Sequence, residues 1–258
     1  MSTSPYSGNP GPAWLATTRR LIASHPLPVT ELRDTCLVVW ERLWRTTIGE
    51  PPHAIPLGVL DVPATVVGYF FEVLLAHELA ARHPTTWRGN ASKGEKDLVC
   101  MTKPEMSFEI KTSGQLGYKV YGNRSHGQKS DPETAVKKEK SGYYATVNFF
   151  GSILTLVRFG WLDATDWIPQ QSQTGQMAGL GSEVYDYKLI PVPGSYRACG
   201  PVRLLRNVGE RTEAMLNDLG IDTIGDLLAA GTSLGSVAEK ILSSNHDFLV
   251  GCVDIPPG

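Results

Sequence analysis

The chain has 258 residues, of which 41% are hydrophobic and 19% charged, and its formal net charge at pH 7 is −2. A chain of this size can bury a core as one large domain, or as one medium domain with a small appendage, and its composition excludes a disordered polymer. No apolar run is long and clean enough for a membrane span, because "GYFFEVLLAHELAA" is broken by Glu72, His77 and Glu78.

Residues 1–13 are rich in Ser, Gly and Pro and are expected to form a flexible N-terminal arm. The segment has neither a charged start nor an apolar stretch, so no secretion signal is expected. Cys36, Cys100, Cys199 and Cys252 lie far apart with no C-x-x-C pair. That spacing points to a reducing, cytoplasmic setting rather than a disulfide framework or zinc ribbon.

Helical spacing comes next. "WLATTRRLIASH" and "TELRDTCLVVWERLWRTT" both show it, the second with a stripe of Leu32, Cys36, Leu37, Trp40 and Leu43 and with Thr30 as a candidate N-cap. "GEPPHAIPLG" reads as a loop. A long helix is expected over Ala64 to Arg82, ended by His83-Pro84. "TTWRGNASKGEK" reads as a loop, "DLVCM" as a short buried strand, and "SFEIKTS" as the next strand after a turn at Pro104. The polar, glycine-containing stretch "GQLGYKVYGNRSHGQKSDPET" follows, and "AVKKEKSG" reads as a short helix or turn. "YYATVNFF" and "ILTLVRFGWL" form a hairpin about Gly151-Ser152. "DWIPQQSQTGQMAGLGSE" reads as a polar loop or helix start, and "VYDYKLIPVP" as a final strand. From about Tyr196 the pattern turns helical, with breaks at Gly209, Gly220, Gly225 and Gly231.

The small net charge hides a pattern. Lys103 to Lys140 holds eight basic residues against five acidic ones, and Arg197 to Arg211 holds four arginines against Glu210. A basic cleft can coexist with an acidic far surface, although such runs also suit plain solvated faces.

The chemistry concentrates on "SFEIKTSG". Alternation along a strand puts Glu109 and Lys111 on one face, with Phe108 and Ile110 on the other. If Asp97–Met101 and Ser107–Ser113 pair as a hairpin, Asp97 comes near Glu109. Two converging carboxylates repel each other, and a divalent cation such as Mg²⁺, which favours oxygen ligands, relieves this. A lysine two residues on can assist the attacking water or stabilise charge on a phosphoryl group. The same residues also suit a surface hairpin with an i, i+2 ion pair.

A helix with Glu72, then Asp97 opening a strand, then "FEIK" in the next strand, resembles the PD-(D/E)XK nuclease core of type II restriction endonucleases. Lys96 stands where that core usually has proline. "RFGWLDATDW" and "QTGQMAGL" further resemble ScaI-like restriction endonucleases. The resemblance covers about residues 64–192. It implies an α/β fold with a restriction-endonuclease-like core, a central mixed sheet flanked by helices. It also implies Mg²⁺ held by Asp97, Glu109 and the carbonyl of Ile110, with Lys111 as catalytic lysine and Glu72 as an auxiliary acid. Water activated at the metal would attack a phosphodiester of double-stranded DNA at a specific short site. A homodimer on a palindrome and a cognate DNA methyltransferase in the same system are further implications.

The C-terminal stretch "LLRNVGERTEAMLNDLGIDTIGDLL" resembles a helix–hairpin–helix module. Its turn would be Asn207-Val208-Gly209, with Gly209 allowing close approach and Arg206 and Arg211 adding charge beside exposed N–H groups. Three parts are therefore expected: the arm 1–13, a nuclease domain over 14–195 including the N-terminal helices, and a small all-helical DNA-binding unit over 196–258. Further DNA contacts are expected among Ser113, Gln115, Lys119, Asn123, Arg124 and His126, and at Gln173 and Thr174. Two other readings compete: a structure-specific repair or recombination nuclease, and a DNA-binding protein whose acids are only structural.

Overall fold

A computed structural model describes residues 4–8, 11–123, 139–169, 177–231 and 235–252. Its centre is a six-stranded mixed sheet in the order β11-β8-β7-β5-β4-β3. The strands are β3 (Trp87–Gly89), β4 (Leu98–Cys100), β5 (Phe108–Ser113), β7 (Gly142–Phe150), β8 (Ile153–Leu162) and β11 (Leu189–Pro191). β5 and β7 run parallel, and every other neighbouring pair is antiparallel. The hairpin of β4 and β5 forms as expected, with Leu98 opposite Phe108.

Three helices precede the sheet: α1 (Gly11–Ala23), α2 (Val29–Arg45) and α3 (Ala64–Arg82). Leu32, Cys36, Trp40 and Leu43 of the α2 stripe are buried, Leu37 is half-buried and Val39 joins them, but the helix starts one residue before Thr30. Pro28 occupies the N-cap position, with no side-chain cap. Helix α3 has the predicted bounds. It is long and apolar enough by composition to cross a membrane. In the fold, its Val67, Phe71, Leu75 and Leu79 are buried in one core with Phe108, Ile110, Tyr143, Ala145 and Val147. Contact between α3 and β5 is close. A Cβ on Gly68 would collide with Thr112 Oγ1, so only glycine admits the strand at that height.

The two faces of the sheet differ. Phe108, Ile110 and Thr112 face α2 and α3, whereas Glu109, Lys111 and Ser113 face away with Tyr144, Thr146, Asn148 and Arg158. The second face is lined by Tyr118 to Val120. The carbonyls of Tyr118 and Lys119 accept hydrogen bonds from Arg158 and Asn148. A small antiparallel sheet lies alongside in sequence, built from β6 (Gly122–Asn123), β10 (Met177–Leu180) and β9 (Trp167–Pro169). A two-residue hairpin of β1 (Thr47–Ile48) and β2 (Ile55–Pro56) precedes α3.

Several expectations change. β3 arises inside the presumed loop "TTWRGNASKGEK", because Trp87 is buried beneath α3 and its edge pairs with β4. β9 and β10 pair across the segment read as a loop or helix start. "SEVYDY" is a short helix, Ser182–Tyr187, and only Leu189–Pro191 continues as a strand. Within its described residues, the N-terminal arm is tied down. Tyr6 is buried, bonds to Thr18 and to the Trp161 carbonyl, and lies under Lys188. Residues 11–13 already belong to α1.

A second core unites Val202, Leu205, Val208, Leu216, Ile221, Ile224, Leu227, Ala238 and Ile241 in the C-terminal helices. Arg197 packs on this core: its guanidinium lies 4.0 Å from the Phe248 ring centre and donates to the Phe248 carbonyl.

His25 closes the floor beneath β5. It is buried among Tyr143, Phe159, Trp87 and Phe108. Leu27 N–H donates to its Nδ1, so its Nε2–H donates to the Met106 carbonyl at 2.9 Å. Burial holds its pKa below the ordinary 6.5. Below pH 6.5 the unfolded chain therefore takes a proton that folded His25 refuses, so stability falls as pH falls. Thermal melts between pH 7 and pH 5 should show this decline, and His25→Gln should flatten it.

Candidate active site

Asp97 immediately precedes β4, and the hairpin carries it to the backbone of β5. Asp97 Oδ2 accepts a hydrogen bond from Ile110 N–H at 2.8 Å. Lys111 Nζ donates to Glu109 Oε1 at 2.6 Å and to the Ile110 carbonyl at 3.0 Å, and it lies 3.9 Å from Asp97 Oδ2. Asp97 and Glu109 are only 6% and 3% exposed, so two carboxylates are sunk in the sheet with one ammonium between them. Burial on this scale is costly for a charge unless it is paired, and a surface hairpin would not incur it.

Glu109 stands in register with Tyr144 on β7, and Lys111 with Thr146. Burial drives the Tyr144 hydroxyl pKa far above its ordinary value, and the charge of Glu109 adds to this. Tyr144 OH donates to the Lys140 carbonyl, and Lys96 Nζ lies 5.1 Å from its ring centre. One residue further across, Arg158 is buried between the rings of Tyr118 and Tyr185 and donates to Asn148 Oδ1 and the Tyr118 carbonyl. Desolvation lowers its pKa to about 10.

Glu72 is half-buried on α3, one helical turn after Gly68. A rise of about 1.5 Å per helical residue against about 3.3 Å per strand residue puts it level with Ile110, on the helix side of β5. Glu109 and Lys111 leave from the other side. Among the described residues, no group of three or more His, Cys, Asp or Glu side chains gathers in a way that could hold a metal ion.

The family model described as ScaI restriction endonuclease matches residues 4–193. The chain belongs to the ScaI restriction endonuclease family. A curated relative, the type II restriction enzyme ScaI of Streptomyces caespitosus, is 36% identical over 199 residues, covering 74% of this chain and 85% of the relative. No solved structure matches. Membership makes the chain a type II restriction endonuclease, a site-specific deoxyribonuclease acting on DNA, in a class that generally needs divalent metal ions. The family match includes Asp97, Glu109 and Lys111 and stops before the second core begins at Val202.

The other residues singled out in the sequence are dispersed. Ser113 is buried two positions beyond Lys111 on the same face, and Gln115 and Lys119 are exposed on the segment that follows. Asn123 ends β6 opposite Met177. Arg124, His126, Gln173 and Thr174 lie outside the described residues. In the C-terminal unit the turn has a different construction from the one expected. Asn207, not Gly209, takes the left-handed conformation, with φ 69°. Gly209 has φ −90°, and a Cβ there would meet nothing within 4 Å, so packing does not demand glycine. A three-residue 3-10 turn, Val202–Leu204, stands where a first helix was expected. Arg206 and Arg211 are exposed, and the first turn of the helix Glu210–Asp218 carries Glu210 and Glu213, both bonded to Arg203.

Sequence reading missed the polar row of Thr146, Asn148 and Arg158. The signal was present: Tyr144, Thr146 and Asn148 alternate with Ala145 and Val147 inside a strand too apolar to be an edge.

Lys111→Met removes a cation from beside two buried carboxylates. In chelator it should lower unfolding free energy by about 3–5 kcal/mol, measured by urea denaturation.

Proposed function

We propose that this restriction endonuclease hydrolyses double-stranded DNA with Asp97, Glu109 and Lys111 as its reacting cluster, and that Mg²⁺ is its metal. The observation that carries the reading is that Asp97 and Lys111 both bond the backbone of Ile110 while Lys111 also bonds Glu109, which gathers two buried acids and one lysine. The residues suit the ion. The Lys111 ammonium is a stand-in cation, gathering oxygens of Glu109, Ile110 and Asp97, and all three groups are hard oxygen donors of the kind Mg²⁺ prefers. Asp97, Glu109 and the Ile110 carbonyl would hold it. A divalent ion there supplies Lewis-acid stabilisation to a phosphoryl group gathering negative charge.

The remaining roles belong to the chain. The bond from Ile110 N–H sets the angle of the Asp97 carboxylate. Lys111 brings positive charge to the phosphoryl group and can pass protons at Nζ. Tyr144 walls the acids from water on the β7 side. Glu72, level with Ile110, serves as an auxiliary acid that adds negative charge behind the site.

DNA would lie across the face that carries Lys111. Ser113, Gln115, Lys119, Asn123, Arg124 and His126 belong to one polar stretch, and Gln173 and Thr174 to another. Both stretches adjoin the Asn123–Met177 pair, so they depart from neighbouring points of the small sheet. Phosphate contacts from them would position the duplex, and base-edge contacts would select the site. The C-terminal unit would grip backbone phosphates through Arg206, Arg211 and the open ground at Gly209. The division into a nuclease domain, 14–195, and this unit, 196–258, is supported by the end of the family match and by the separate second core. A homodimer suits two cuts on a palindrome. Val66, Tyr69, Phe70 and Val73 form an exposed apolar face on α3 able to receive a second copy. A cognate methyltransferase would protect the host, and the free cysteines suit a cytoplasmic enzyme.

The test is plasmid digestion with Mg²⁺. Wild type should give a fixed set of fragments that chelator abolishes. Asp97→Ala and Lys111→Ala should each lower the rate by at least about 10²–10⁴-fold. If either variant cuts as well as wild type, the assignment is wrong. Cleavage that follows branches or flaps rather than one duplex sequence would instead favour a repair-type nuclease.

A further inference from the structure

Lys111 Nζ lies against the same three oxygen groups that would hold the metal: Glu109 Oε1, the Ile110 carbonyl and, more distantly, Asp97 Oδ2. An ammonium and a divalent ion cannot share them. Mg²⁺ takes its oxygens at about 2.0–2.1 Å and repels a second cation at that range. Lys111 must therefore give up these acceptors for metal to enter, and its charge, largely buried, then needs another acceptor.

One stands beside it. Thr146 is directly in register with Lys111 on the neighbouring strand, on the same face of the sheet. Adjacent strands lie about 4.8 Å apart, well within the reach of a lysine side chain. Thr146 is wholly buried, and its Oγ1 has no hydrogen-bond partner among the described residues. Buried hydroxyls are nearly always bonded, so this one requires an explanation. Its neighbour on the far side does not supply a bond. Arg158, in register with Thr146 on β8, turns its Nη1 to Asn148 and the Tyr118 carbonyl and makes no bond to Thr146.

We infer that Thr146 is a positioning residue that receives the Lys111 ammonium when Asp97 and Glu109 turn to the metal. Lys111 then has two seats: one on the acids, where it neutralises them, and one on Thr146 Oγ1, from which its charge faces the phosphoryl group. Thr146 contributes by lowering the cost of vacating the first seat. The inference rests on the proposed metal site and adds a residue to it.

The experiment is calorimetric titration of the full chain with Mg²⁺ alone, without DNA, so that no turnover enters the reading. Lys111→Met should bind Mg²⁺ about tenfold more tightly than wild type, and Thr146→Val about tenfold less tightly. Thr146→Ser should restore wild-type affinity. In the Lys111→Met background, Thr146→Val should have no effect, because the displaced ammonium is gone. Thr146→Val keeps the shape of the side chain, and its melting temperature should equal or exceed that of wild type. Unchanged affinity in Thr146→Val, or an equal weakening with and without Lys111, would overturn the inference. Glu109→Gln separates the two levels of the argument. If it abolishes Mg²⁺ binding while Thr146→Val has no effect, the metal site stands and the second seat falls. If Glu109→Gln leaves binding intact, the site itself is wrong.

Discussion

Two carboxylates buried against one strand are the constraint on which the rest of this molecule turns. Asp97 and Glu109 sit where water cannot solvate them, and each needs a counter-charge or an N–H donor. The fold supplies both from β5 itself, through Ile110 N–H and Lys111 Nζ. Supply from one strand has a consequence: the spacing of acid, backbone and base cannot drift, because all are anchored to consecutive residues. The hairpin has only to deliver Asp97, and a single cross-strand pair, Leu98 with Phe108, suffices for that.

The sheet divides the work between its faces. Toward α2 and α3 it is apolar, and Gly68 lets α3 press on Thr112 closely enough to fix β5 in place. Away from the helices it is polar to an unusual depth, with Thr146, Asn148 and Arg158 all buried in the middle strands. Arg158 keeps its charge by binding a side-chain amide and a backbone carbonyl and by lying against two aromatic rings. Such a face is expensive as packing and useful as a site. A site built on central strands is also held more rigidly than one built on loops.

The order of elements was legible wherever a long period or a short alternating run stood alone. Helix α3, the β4–β5 hairpin and the β7–β8 hairpin follow from spacing, and so does the sharing of one face by Glu109 and Lys111. Segments whose state is set by partners were not legible. Trp87 to Gly89 becomes a strand only because an edge awaits it, and Trp167 to Pro169 only because Met177 to Leu180 lies opposite. "VYDY" alternates well enough to open a strand, yet the fold puts it in the helix Ser182–Tyr187, whose Val184 shares a small core with Tyr144 and Trp167. Tyr6 sits in a stretch composed like a free arm, and one buried ring with two hydrogen bonds ties it down.

By itself, the sequence determined that Glu109 and Lys111 share one strand face, and that a hairpin between their strand and the one before it would bring Asp97 to them. Local alternation and chain connectivity decide both of those. Tertiary structure alone decided the height of Glu72 relative to the acids and the turn in which Asn207 rather than Gly209 is left-handed. It also decided the burial of Thr146 and Arg158 beside Lys111. These depend on strand register and on which layer covers which face, and register is a relation between distant segments that no single stretch of sequence encodes.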